Sequence, residues 1–225
     1  TVLLQWAVGG LLFLWVTCRH RQVGIGYGWL LRITYMIMMV SALVVAVLTE
    51  LVIEREIIIM GVVVATIVPL LNSFLKRKEE NKYINPNLDL VAPILGMAAL
   101  VVAALDAGGP PALAIARTLV GAIFLGAVSD AMLLGHWYLV QPGLTRAPLL
   151  ELVRLIGIIW PFELAVLLYP TGMLSVINGN IDDGYGGLLG WFWLACTLMT
   201  IVLVFVTRAA LKERQYSAVM AATGL

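Results

Sequence analysis

The sequence predicts an all-α fold: a polytopic bundle of transmembrane helices with short loops and no soluble domain. Three observations predict it. Apolar residues make up 62% of the 225 and charged residues 12%, against roughly 45–50% and about 25% in soluble domains. The apolar residues gather in runs near the length of about 20 that carries a helix across a bilayer. The runs do not alternate apolar with polar residues, as barrel strands do, so helix follows despite the many Val and Ile.

Seven spans are expected, plus the start of an eighth. The first covers Val2–Cys18. It has no basic flank before it and no small-residue cleavage site, so it is not read as a cleaved signal. The second, Ile33–Thr49, carries Met36, Met38 and Met39, read as adaptable packing. The third, Ile57–Leu75, and the fourth, Leu90–Leu105, contain Pro69 and Pro93. A proline inside a span frees a carbonyl that packing or water must satisfy. The fifth, Ala112–Leu134, and the sixth, Leu149–Tyr169, hold the buried charges discussed below, and the sixth contains Pro161. The seventh, Leu188–Thr207, opens on Gly186-x-x-x-Gly190 followed by Trp191, Phe192 and Trp193. Small residues at that spacing allow close backbone approach, and aromatics at a span end fit an interfacial belt. The eighth begins near Tyr216 and runs to Leu225. With no initiator Met at Thr1 and an apolar run at the other end, a longer natural protein is expected on both sides. Residues 1–225 are then a single integral-membrane helical domain.

Loop charges test the count. Arg19, Arg21 and Arg32 lie between spans one and two. Lys76, Arg77, Lys78 and Lys82 lie between three and four, and Arg146 between five and six. Arg208, Lys212 and Arg214 follow span seven. The other connections carry Glu50, Glu54, Glu56, Asp106, Asp182 and Asp183, with Arg55 as their one basic residue. Basic and acidic connections alternate strictly, and a miscounted span would break the alternation. The positive-inside rule puts the basic loops in the cytoplasm of a multi-pass cell-membrane protein, with the residue-1 end outside. The lipid bilayer and other membrane subunits are the expected partners, and nucleic acid is not.

Ionisable groups within a span usually face the bundle interior and pair, because each costs about 2.5–3.5 kcal/mol to insert. Here they are Arg117 and Asp130 on span five, and Glu151, Arg154 and Glu163 on span six. The two spans form a hairpin about Gln141-Pro142-Gly143, so residues at one depth have numbers of near-constant sum. That matches Asp130 with Arg154, Arg117 with Glu163, and His136 with Glu151. The wheel sets a limit. Arg117 and Asp130 stand about 140° apart, and Arg154 and Glu163 about 180° apart, so one straight interface does not hold both ion pairs unless Pro161 turns the helix. Structural pairing is the leading expectation; a proton or ion path and a ligand site are the alternatives.

The chain has two histidines, His20 and His136, both at basic span ends. Two imidazoles at one depth suggest axial ligation of a haem, although both sit beside arginines in loops. His136 with Trp137, Tyr138 and Arg146 suggests a quinone head-group contact. The plainer reading is a membrane-exit turn, with Trp and Tyr at the headgroups and Arg146 facing anionic lipid.

Other motifs are weaker. Asn178, Asn180 and Asp182 space their oxygens as the first half of a calcium loop, but the glycine is displaced by one and position twelve is Leu189 rather than Glu. Gly24-Ile-Gly26-Tyr-Gly28 lacks the preceding strand of a phosphate-binding loop and is read as a flexible turn. Cys18 and Cys196 are read as small hydrophobes, with no metal site and no disulfide.

No catalytic motif stands out. The leading expectation is a non-catalytic membrane subunit packed within a larger complex, with respiratory electron transfer as a possible setting. The alternatives are a proton-coupled carrier using Asp130 and Glu163, and a quinone- or haem-binding membrane protein.

Overall fold

The computed structural model describes residues 1–49, 51–76, 85–168, 173–213 and 215. Within them lie the helices α1 (Val2–Cys18), α2 (Ile25–Leu48), α3 (Ile53–Leu75), α4 (Val91–Asp106), α5 (Pro111–Val140), α6 (Ala147–Leu168), α7 (Met173–Ile177) and α8 (Leu188–Ala210). A 3-10 segment, Pro86–Leu90, leads into α4. No strand occurs among the described residues. The fold is an all-α membrane bundle. Helices α2, α3, α5 and α8, and α4 together with its 3-10 lead, are long and apolar enough to cross a bilayer. Helix α1 is apolar but shorter, at 17 residues. Helix α6 has 22 residues and carries Glu151, Arg154 and Glu163. The eighth span expected from Tyr216 lies outside the described residues.

Helix α1 is the hub. It packs on α5, α2 and α4, and touches the 3-10 segment. Leu4, Ala7, Val8, Leu11, Phe13 and Leu14 are buried on it, almost all the way round. A helix that is apolar on every face suits such a central position. The crossing with α5 depends on glycine at two points. A Cβ on Gly9 would collide with the backbone of Ala122, and one on Gly126 with the backbone of Gly9. Gly10 leaves room for the ring of Tyr35 from α2, and Gly96 of α4 for Val8. Contacts of this kind replace the hydrophobic drive that lipid does not supply.

The helix bounds differ most from the sequence reading at the start of α2 and the end of α5, while α3 starts four residues early and takes in Glu54, Arg55 and Glu56, and α7 was not expected. Helix α2 begins at Ile25, eight residues before the expected Ile33, and takes in the glycines read as a flexible turn. Those glycines are packing sites. A Cβ on Gly26 would press Trp137 at 3.1 Å, and one on Gly28 would press the Arg32 guanidinium at 2.7 Å. Arg32, expected in a loop, is therefore buried within the bundle. Helix α5 continues to Val140, so His136, Trp137 and Tyr138 lie in its last turns rather than in a loop.

Helix α8 is peripheral. It packs chiefly on α6 and α7, and Gly190 is the one residue buried in its first half. Gly190 meets α7: a Cβ there would lie 3.0 Å from Ile177 and 3.3 Å from Val176. Of the two glycines at the head of α8, Gly190 is thus used within the chain, while a Cβ on Gly186 would meet nothing within 4 Å. Before it, Asp183 accepts backbone N–H bonds from Gly187 (2.8 Å), Tyr185 (2.9 Å) and Leu189 (3.0 Å). These donors, Gly187 first, hold its carboxyl below the usual carboxylate range.

Candidate functional site: a buried carboxyl beside a helix-spanning ion pair

Asp130 is fully enclosed. It lies ten residues, about 15 Å, from the basic end of α5, and Tyr35 lies equally deep on α2. Tyr35 donates its hydroxyl to Asp130 Oδ1 at 2.5 Å. Tyr27 donates to the Asp130 backbone carbonyl at 3.2 Å. Among the described residues, Asp130 Oδ2 has no hydrogen-bond partner. The expected ion pair with Arg154 is not formed: Arg154 is exposed on α6, and Asp130 faces α2 instead. The hairpin depth rule compared only sequence neighbours, whereas α1 and α2 fill the space against this face of α5.

One turn nearer the basic end, α2 carries the most deeply buried ion pair among the described residues. Arg32 donates Nε to Asp89 Oδ1 at 2.9 Å and Nη2 to Oδ2 at 2.6 Å, and both side chains are 7% exposed. This two-point fork is the geometry in which guanidinium and carboxylate bind most strongly. It ties α2 to the 3-10 segment. Sequence reasoning missed it because Arg32 was counted among loop charges and Asp89, just ahead of the fourth span, was not weighed. The available signal was Arg32 itself, a charge one residue from an apolar run. A small cavity, about 50 Å³, adjoins the pair and is lined by Cys18, Gly28, Arg32, Ser73 and Asp89 among others.

The remaining expected groups are placed as follows. Glu151 pairs with Arg19, not with His136, and so ties α6 to the end of α1. Arg117 and Glu163 form no salt bridge within 4.0 Å among those described, but Arg117 is the charge acting on Glu163. Glu163 Oε2 has no hydrogen-bond partner, and Gln5 bonds the nearby Thr118 carbonyl at 3.0 Å. A cleft between the end of α1 and the start of α6 is lined by Thr17, His20, Gln22, Pro148 and Glu151, without His136.

The polar groups proposed for a quinone are occupied by the protein itself. His136 Nδ1 donates to the Met132 carbonyl at 2.8 Å, and Trp137 Nε1 to Gln141 Oε1 at 3.1 Å. Tyr138 donates to the Thr145 carbonyl at 2.6 Å. Arg146 donates to the Leu211 carbonyl at 2.9 Å and to that of Glu213. Arg146 thus caps α8, where a cation meets the negative helix end, rather than facing lipid. His20 Nε2 accepts from its neighbour Arg19 at 3.1 Å. Asn178 and Asn180 lie exposed in the loop before α8, and Asp182 accepts the Gly184 N–H at 2.9 Å. No three His, Cys, Asp or Glu side chains gather at metal-binding range among the described residues.

Against known proteins, the chain matches no family model, no curated protein and no solved structure.

A second space lies at the residue-1 end. A cavity of about 620 Å³ is lined by α1 (Leu4), α2 (Ala42, Val45, Ala46, Thr49), α3 (Arg55, Glu56, Ile59) and α4 (Ala103, Asp106). Arg55 donates Nε to Glu56 Oε1 at 2.7 Å, and its Nη2 bonds the same oxygen. Glu56 Oε2 has no partner. Between this cavity and Tyr35, α2 turns the fully buried Met39 inward, and Leu4, Ile59 and Val62 are buried beside it.

Proposed function

We propose that this chain is a membrane carrier coupled to protons, with Asp130 as the carboxyl that takes up and releases the proton. The observation that carries the reading is the setting of Asp130. It is enclosed at mid-depth, held by a tyrosine hydroxyl on one oxygen, and not ion-paired. Ionisable groups deep in a span are rare and serve pairing or a path. The expected ion pair is absent for this residue, and its setting favours the path. Tyr35 is a donor and acceptor able to relay the proton. The 620 Å³ cavity supports the reading from one side, and the small cavity at Arg32 and Asp89 from the other. The apolar layer of Leu4, Met39, Ile59 and Val62 acts as the barrier that a carrier must open and close. The cell membrane is the proposed location, with the basic connections cytoplasmic.

The test is proton flux. Purified chain in liposomes holding a pH-sensitive dye should move protons when a gradient is imposed. Asp130→Asn should abolish that movement while keeping the circular dichroism and elution volume of the parent. Equal flux in Asp130→Asn would end the reading.

The competing proposal is a non-catalytic subunit of a larger membrane complex, a respiratory one included. It draws on α8, whose outer face presents Trp191, Phe192, Leu198, Met199, Val202 and Phe205. Fixed-stoichiometry co-purification with other chains in mild detergent favours it, and a lone monodisperse species counts against it.

A further inference from the structure

We propose that the residue-1-end cavity binds a monovalent organic ammonium on an apolar body, with Glu56 as its counter-ion. The proposal names the cargo class of the proton-coupled carrier and rests on that reading. Size comes first. At about 620 Å³ the cavity falls inside the range of about 300–1,000 Å³ typical of small-molecule sites.

Charge selects the sign of the ligand. The lining side chains include two carboxylates, Glu56 and Asp106, and one guanidinium, Arg55. Arg55 and Glu56 already bond each other through Oε1. Glu56 is 7% exposed, and its second oxygen has no hydrogen-bond partner among the described residues. A buried carboxylate oxygen left without a donor is costly, and a donor that brings a positive charge satisfies it best. An anion would meet the buried carboxylate of Glu56. A divalent metal would need more oxygen ligands than gather here, since no three such side chains lie at ligand range among the described residues.

The remaining walls select the body of the ligand. Leu4, Val45, Ala46, Ile59 and Ala103 also line this cavity. Ala46 and Ala103 are small and leave width where a larger side chain would fill it. An ammonium at Glu56 and a hydrocarbon or ring against these residues satisfies both sides at once. Free organic amines and the ethanolamine headgroup of a lipid share this chemistry.

Phenethylammonium is a suitable probe, with the neutral phenylethanol and the anionic phenylacetate as size-matched controls. Binding is read at equilibrium by calorimetry, on the chain in phosphatidylcholine nanodiscs, with no gradient present. Its failure is therefore separate from a failure of proton flux. The cation should bind at least tenfold more tightly than either control. Glu56→Gln should weaken it about tenfold. Ala103→Phe, which fills the cavity and keeps Glu56, should abolish binding even if Glu56→Gln misfolds. Adding phosphatidylethanolamine to the discs separates the two sources: competition assigns the site to a lipid headgroup, and unchanged affinity to a free amine. Equal binding of phenylethanol, unchanged binding in Ala103→Phe, or no binding of the cation at millimolar concentration would overturn the proposal.

Discussion

Arg32→Ala strands the carboxylate of Asp89 in a site where both partners are now almost fully covered. Breaking a buried pair from one side costs about 3–5 kcal/mol, so the variant should lose that much in unfolding measured by denaturant or steric trapping. Arg32→Met with Asp89→Leu should recover much of the loss, because the charge and its partner leave together. Tyr35→Phe takes the hydroxyl from Asp130, leaving both carboxyl oxygens without a partner, and should cost about 1–3 kcal/mol. Asp183 gives a pH effect. Its carboxyl is held below the usual range by N–H donors before α8. A lowered folded value means that ionised Asp183 favours the folded state at neutral pH. That contribution is fully present above the ordinary carboxylate pKa and is lost as pH falls through the lowered one. Local hydrogen exchange at the start of α8 should rise over that window in the parent and stay flat in Asp183→Asn. At this scale the sequence was read half correctly. Asp130 was recognisable as unusual from its depth in an apolar run. Its partner was not, because a tyrosine hydroxyl from a helix three spans earlier leaves no mark in a charge pattern.

Helix α1 and helix α5 approach so closely that an added methyl has nowhere to go at Gly9 or Gly126. Gly9→Ala and Gly126→Ala should each destabilise the bundle by about 1–3 kcal/mol, the usual cost of overpacking. Gly61 makes the comparison, since its Cβ would meet nothing within 4 Å. Gly61→Ala should stay within about 0.5 kcal/mol of the parent in the same unfolding assay. The helices themselves were easy to find, because a run of about 20 apolar residues permits few other structures in lipid. The start of α2 was not. Glycine weakens helices in water, so Gly24, Gly26 and Gly28 were read as a turn. In the bundle a Cβ at these positions would press on Gln141, Trp137 and Arg32, the first two being tertiary neighbours that no local window contains.

The whole molecule is a bundle wound about α1, with α6, α7 and α8 added on one side. The connections predict its orientation. Single cysteines placed at Lys76 and at Asp182 in a background lacking Cys18 and Cys196 should be labelled from opposite faces of an intact membrane. Labelling of both from one face would overturn the topology. The hairpin arithmetic failed for two of its three pairs, Arg117 still being the charge that acts on Glu163, and the failures have a physical reason. Glu151 found Arg19 and Asp130 found Tyr35, each on a helix distant in sequence, because a bundle lets any two neighbours meet whatever their order.

The Arg32–Asp89 fork also has a history in the making of the protein. Its two members are 57 residues apart, with all of α3 between them. A ribosome delivers the guanidinium first, and no acid waits for it. The early part of α2 must then linger at the headgroup surface or inside the insertion machinery until the stretch before α4 has been translated. Chains arrested ahead of Asp89 should hold that stretch shallow, and longer ones should draw it in.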